Sequence, residues 1–99
     1  MQQYQAWTNG HAANDWFQRN RQKYDTMPQS PSVTLFAKYV QPSQRIIEIG
    51  CCTGHHLNQL QRMTGCLGVG TDPSPQAIFA GRDKFPDLQL LVGTADRLN

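Results

Sequence analysis

One stretch constrains this chain more than any other: Ile46-Ile47-Glu48-Ile49-Gly50-Cys51-Cys52-Thr53-Gly54. A short apolar run that passes straight into a glycine-rich turn reads as a buried parallel strand emptying into a loop that a ligand can approach closely. Gly50 and Gly54 remove Cβ atoms that would stand in the way of that approach. Glu48 sharpens the expectation. A carboxylate at the end of a core strand is costly unless something binds it, and a ligand carrying an ammonium group or hydroxyls would do so. The stretch predicts a site for a polar small molecule.

The flanking sequence supplies the rest of an alternating pattern. Cys66-Leu67-Gly68-Val69-Gly70 is a second apolar run, ending at Thr71-Asp72-Pro73-Ser74. Ser74 and Pro75 read as an N-cap and first helical residue, opening a helix to about Lys84 with Ala77, Ile78 and Gly81 inward. Phe85-Pro86-Asp87 breaks that helix before a third run, Leu88-Gln89-Leu90-Leu91-Val92, which leads into Gly93-Thr94-Ala95-Asp96. Between the first two strands, Leu57, Leu60 and Met63 give a helix its buried face, and Gly65 closes it. Upstream, Ser30-Pro31 signals another helix whose Val33, Phe36, Ala37 and Val40 recur at helical spacing as a core stripe, ended by Gln41-Pro42-Ser43-Gln44. Residues 1–27 carry Tyr4, Trp7, Trp16, Phe17 and Tyr24 among polar residues, and Asn14 to Tyr24 reads as a helix with Trp16, Asn20 and Tyr24 on one face. Packing of those aromatics onto the core is the first expectation. The order helix, helix, β, α, β, α, β predicts an α/β fold with a parallel sheet and right-handed crossovers.

The residues around the glycine loop resemble the first motif of the class I S-adenosylmethionine-dependent methyltransferases, acidic-x-Gly-x-Gly-x-Gly. Glu48, Gly50 and Gly54 match it, and Cys52 stands where the middle glycine usually is; a small side chain fits there if its φ is negative. The resemblance implies a Rossmann-like methyltransferase fold with strand order 3-2-1 and S-adenosyl-L-methionine as cofactor. It implies that Glu48 meets the ribose or the methionine end of the cofactor, and that the backbone amides of residues 50–54, Cys51 and Cys52 included, line the amino-acid moiety. It implies that Asp72, followed by Pro73 and Ser74, takes the ribose hydroxyls. The segment Thr94, Ala95 and Asp96 falls where the family meets the adenine. A leader that folds over the cofactor is also common in the family, which makes Trp16, Phe17, Arg19 and Tyr24 candidates for the substrate site. Asn14 to Asn20 is similar, locally, to the leader of methyltransferases of sialic-acid-like sugar biosynthesis. The division expected is a helical leader over residues 1–29 and the first half of the cofactor-binding domain over residues 30–99.

Composition excludes several other classes. The formal charge is +2 with no basic cluster, so nothing indicates a nucleic-acid partner. No apolar run reaches the length of a membrane span, and Met-Gln-Gln-Tyr-Gln has no signal-peptide character, which points to the cytoplasm. Three cysteines, two of them adjacent, form no disulfide framework. Cys51-Cys52 with His55-His56, and Cys66 beyond, invites a zinc reading. Adjacent cysteines rarely chelate one metal and paired ligand spacing is missing, so no metal is expected.

A class I methyltransferase usually has seven strands, whereas 99 residues reach only the third. The expectation is a chain truncated after that strand, with the first strand an open, partly uncovered edge offering an oligomer contact. The cofactor-binding half of a methyltransferase, acting on an unidentified acceptor in full-length form and inactive alone, is the first functional expectation. An NAD(P)-binding dehydrogenase domain is the second: Asp72 suits it, but Cys52 and His55 occupy positions where its fingerprint needs glycine. A non-catalytic fragment or interaction module is the third. No catalytic residue, and no general base, is identifiable in the sequence.

Overall fold

A computed structural model describes residues 10–94 and 96. Tyr4, Trp7, Ala95 and residues 97–99 lie outside the described residues. Seven elements follow in the expected order: α1 (His11–Asp25), α2 (Pro31–Ala37), β1 (Arg45–Ile49), α3 (His55–Thr64), β2 (Leu67–Asp72), α4 (Pro75–Lys84) and β3 (Gln89–Val92). Local chemistry sets most of the boundaries. Ser74 caps α4 by accepting the Ala77 amide at 3.1 Å, and Ser30 caps α2 through Val33 at 3.5 Å, each with proline at the first helical position. Gly65 ends α3 in the left-handed conformation, its amide donating to Gln61 at 2.8 Å.

The three strands form one parallel sheet in the order β1-β2-β3, with Ile46 beside Gly68 and Gly70 beside Leu90. One face carries the helices. Ile46, Gly68, Gly70 and Leu90 point to it, and a Cβ on Gly68 or Gly70 would collide with Leu57 or Cys51. Cys51, Leu57, Ile78, Leu88 and Leu90 form the central cluster, and Ile46 links it to Val40, Leu60 and Cys66 under α2. A third cluster of Phe17, Cys52 and Ala77 docks α1.

The opposite face is bare. Ile47, Ile49 and Leu67 are each more than half exposed. Parallel sheets normally bury both faces, and here β1 is also an edge, paired only with β2 among the described strands. The open edge expected at β1 is therefore present, while the expected fully buried strand is corrected: it alternates, with its odd-numbered residues in solvent.

Two further expectations need correction. Met63 is exposed, and His55 takes the third buried position on α3 beside Leu57 and Leu60. Regular α2 ends at Ala37, so the stripe splits: Val33, Ala37 and Val40 pack inward, while Phe36 stays in solvent. Phe36 precedes Ala37 by one residue, about 100° round the helix, so turning Val33 and Ala37 inward leaves Phe36 at the margin of the buried face.

Candidate functional site

The carboxyl ends of β1 and β2 meet at the glycine loop, the place where open α/β sheets bind ligands. Asp72 organises it. Its Oδ2 accepts the Cys52 amide at 2.8 Å and its Oδ1 accepts the Ser74 amide at 2.9 Å, so one carboxylate ties the loop after β1 to the N-cap of α4. Each oxygen keeps a second lone pair for another donor.

The loop itself is turned inward. Gly50 and Cys51 donate their amides to the Thr71 carbonyl at 2.8 and 2.9 Å, and Gly54 donates to Cys51 at 2.9 Å. With Cys52 on Asp72, four of the five amides from 50 to 54 are already engaged. The register that closes the loop onto β2 uses donors that the sequence reading places against a ligand.

The two glycines differ in role. A Cβ on Gly50 would meet nothing within 4 Å, which leaves an open approach, whereas one on Gly54 would lie 3.0 Å from Leu88. Gly54 is bare for packing against β3. Cys51 likewise sends its thiol into the central cluster, and burial pushes that thiol's pKa well up. Cys52 departs most from expectation. Its φ is +55°, in the left-handed region that disfavours side chains, so the condition of a negative φ under which a side chain fits there is not met. Its side chain packs on Phe17 and meets the Tyr24 hydroxyl.

Helix α1 covers the loop. Its docking is polar as well as apolar: the Asn14 Oδ1 accepts from the Ser74 hydroxyl at 2.5 Å and from the Gln76 amide at 3.3 Å. Trp16 and Tyr24, with Gly50, Cys52, Asp72 and Pro73, line an open pocket of about 280 Å³. Of the leader candidates, these two reach the site. Phe17 is a core residue, 1% exposed, and Arg19 lies in solvent. At the loop's other flank, Thr94 donates its hydroxyl to Asp96, while Ala95 lies outside the described residues.

Glu48 stands beside this pocket at the end of a groove of about 390 Å³, lined by α2, β1 and α3 residues including Val33, Phe36 and Leu57. Its Oε1 is buried without a partner, and its Oε2 lies 4.0 Å from His56 Nδ1. Burial first, and then the charge of Asp72, pushes its carboxyl up to about 7. The same causes raise the neighbours: Tyr24 to about 12, with burial and then Cys52 ahead of the carboxylates, and Cys52 to about 11. His55 goes the other way, lowered by burial and then by Lys84; its Nδ1 is hydrogen-bonded to the Thr53 hydroxyl at 2.6 Å. His56 as the neighbour of Glu48 was not foreseen from sequence, although its place two residues beyond Gly54 puts it on the first turn of α3. Among the described residues no group of three or more metal-ligating side chains converges, and no described helix is long and apolar enough to cross a membrane.

No protein-family model and no curated protein matches this sequence. Solved structures do. The chain is similar to a TehB-like SAM-dependent methyltransferase from Corynebacterium glutamicum, with a TM-score of 0.70 and 21% identity over 89% of this chain and 48% of that one. It is similar to DesVI of Streptomyces venezuelae, with a TM-score of 0.60 and 23% identity over 90% of this chain and 38% of that one. It is also similar to a SAM-dependent methyltransferase from Thiobacillus denitrificans solved with S-adenosyl-L-homocysteine, with a TM-score of 0.59 and 15% identity over 75% and 35% of the two chains. The fold is the Rossmann-like α/β fold of these proteins, and the chain spans less than half the length of each.

Proposed function

We propose that this chain carries the cofactor-binding half of an S-adenosylmethionine-dependent methyltransferase, acting in full-length form on an acceptor these residues do not specify. The observation that carries the reading is Asp72. It ends β2, braces the glycine loop through Cys52, and faces an open pocket with acceptor capacity left for a pair of hydroxyls. The orphaned Glu48 Oε1 and the open approach over Gly50 fit the same ligand: a buried acceptor without a donor, beside space no side chain fills. The methyltransferase likenesses agree with it.

In this reading Asp72 accepts from the ribose hydroxyls, Glu48 accepts from the cofactor's ammonium group, and Thr94, Ala95 and Asp96 border the adenine. When bound, the cofactor supplies a methyl group on a sulfonium centre, an electrophile needing little more than a nucleophile held in line. Helix α1 excludes water from the side of Trp16 and Tyr24. A general base is not assigned. The leader motif at 14–20 has Asn14 and Phe17 engaged in docking α1, and Asn20 bonded to the Trp16 carbonyl. Trp16 of the same run reaches the pocket, which leaves a sialic-acid-like sugar among the acceptors this reading allows.

A nicotinamide dinucleotide is the rival ligand. Cys52 and His55 stand where its fingerprint needs glycine, and both side chains are buried there, which favours the methyltransferase reading. Calorimetric titration with S-adenosylhomocysteine and with NAD separates the alternatives. Binding of the first alone is expected. Binding of NAD overturns the reading, and binding of neither leaves a non-catalytic fragment or interaction module.

A further inference from the structure

Helix α1 is fastened at both ends, by different chemistry. Near its start Asn14 accepts from Ser74 and Gln76, and Phe17 is buried with Cys52 and Ala77. Its end rests on one imidazole. The buried His55 ring lies between Tyr24 of α1, centroids 5.8 Å apart, and Phe85 at the end of α4, 4.9 Å away and edge to face. Its Nδ1 shares a 2.6 Å hydrogen bond with the Thr53 hydroxyl of the glycine loop, and no described residue accepts from its Nε2. One ring thus joins the loop, α1 and α4.

That joint suits a neutral imidazole. Charged groups reach it from each element around it. Arg21 and Asp25 of α1 and Asp83 and Lys84 of α4 share an open pocket of about 340 Å³ with Thr53 and His55, and His56 is the next residue on α3. Asp25 is the carboxylate that favours a charged ring, but it is paired with Lys84 at 3.7 Å, and Arg21 lies over the Phe17 ring at 5.5 Å. Burial first, then Lys84, disfavours the imidazolium; Asp25 acts against them, and His56 with them. Tyr24 and Cys52, raised to about 12 and about 11, stay neutral throughout. A proton added to the ring makes both nitrogens donors, and Nε2 has no acceptor among the described residues.

We propose that His55 is a proton-operated latch on the end of α1: neutral, it holds Tyr24 against the glycine loop; protonated, it releases Tyr24 and widens the pocket over Asp72. A charged ring needs water, and lifting the last turn of α1 admits it from the open side of the pocket that holds Arg21 and Lys84. The start of the helix stays on Asn14 and Phe17, so one end swings while the other is held. The neutral ring's contribution to the closed position is complete above 6.5 and is lost as pH falls through the lower value of the docked ring. The latch governs access to the site and goes beyond the methyltransferase reading, since no step of it needs a cofactor.

The test follows the His55 ring, the Trp16 indole and the Tyr24 ring by NMR as pH is lowered. Glu48→Gln serves as the background, because it removes the carboxyl that titrates at about 7 beside the same pocket. His55 is expected to titrate below 6.5, with the Trp16 and Tyr24 signals moving at the same midpoint. Between 6.5 and that midpoint the released fraction should rise up to about tenfold for each unit of pH. Lys84→Met removes the repelling cation and frees Asp25, and should raise all three midpoints together by about half a unit. His55→Phe keeps a ring between Tyr24 and Phe85 with nothing to protonate, and should hold the Trp16 and Tyr24 signals flat to about pH 5. Circular dichroism and urea unfolding at each pH separate release of one helix end from loss of the fold. A His55 midpoint at or above 6.5 overturns the latch. So does a His55 titration that the Trp16 and Tyr24 signals do not follow, or a transition that persists unchanged in His55→Phe. Should His55→Phe not fold, Lys84→Met decides: three midpoints moving together support the latch, and movement of His55 alone overturns it.

Discussion

The two faces of the sheet are made of similar residues and meet opposite fates. On one face Ile46 and Leu90 disappear beneath α3 and α4; on the other Ile47, Ile49 and Leu91 remain in solvent. The residues of β1 do not account for the difference, since it is apolar at all positions but Arg45 and Glu48. What differs is the opposing surface. Gly68, Gly70 and Gly81 on the covered side let helix and sheet approach to van der Waals contact, and each lacks the Cβ that would prop them apart. The lesson is that burial here is decided by close approach, and close approach by missing side chains rather than by hydrophobic ones.

The largest effect on this contrast is expected at Gly81. A Cβ there would lie 2.2 Å from the Thr53 carbonyl oxygen and 2.8 Å from Leu90. Gly81→Val forces α4 off the loop and the sheet, and should cost about 4 kcal/mol in urea unfolding, at the upper end for overpacking. A cost under about 1 kcal/mol would mean that the helix layer shifts freely and that the close approach does not hold the covered face.

Next in size is a paired comparison across the sheet. Leu90→Ala removes a side chain only 2% exposed and should cost about 3 kcal/mol, whereas Leu91→Ala, at a position 43% exposed, should cost less than about 1 kcal/mol. Similar losses for the two would show that the face bearing Ile47 and Ile49 is covered in solution, as an oligomer packed through that face would require. Sedimentation at matched concentrations then identifies the copy number.

The smallest effect comes from the carboxylate on the covered side. The Glu48 carboxyl is raised from 4.5 to about 7 in the folded chain. The protonated form therefore stabilises the fold fully below pH 4.5, and that contribution is lost as pH rises through 7. Because about a third of the side chain remains in water, the full linkage value is discounted to about 1.5 kcal/mol. Glu48→Gln should flatten the fall in stability between pH 4.5 and 7. An unchanged slope would show that the carboxyl is better solvated than its buried oxygen indicates. His55 acts in the opposite sense, its contribution present above 6.5 and lost as pH falls through its lowered folded value.

Much of the architecture was legible in the chain. Serine followed by proline marked two helix starts, Gly65 marked a helix end, and Asp72 stood where the second strand had to finish. These signals work because a cap or a turn involves atoms within four residues of one another. The buried faces were less legible. Met63 and Phe36 occupy apolar positions at helical spacing yet lie in solvent, while His55 is buried between Tyr24 and Phe85. Periodicity names a helix face, but the neighbouring elements choose how much of it is covered. At the site, Asp72 and Glu48 were identifiable by type and place. The direction of the loop amides was not, because the Thr71 carbonyl that takes two of them lies some twenty positions further along the chain.

By itself the sequence determined the alternation of strands and helices, their caps, and the meeting of a glycine loop with an acidic strand end. All of these follow from short-range sterics and hydrogen bonding. Only the tertiary structure decided that the loop amides turn inward, that Cys52 adopts a left-handed conformation against Phe17 and Tyr24, and that one face of the sheet is left bare. Those outcomes depend on which distant surfaces come close enough to exclude water, and chain order carries no direct record of that distance.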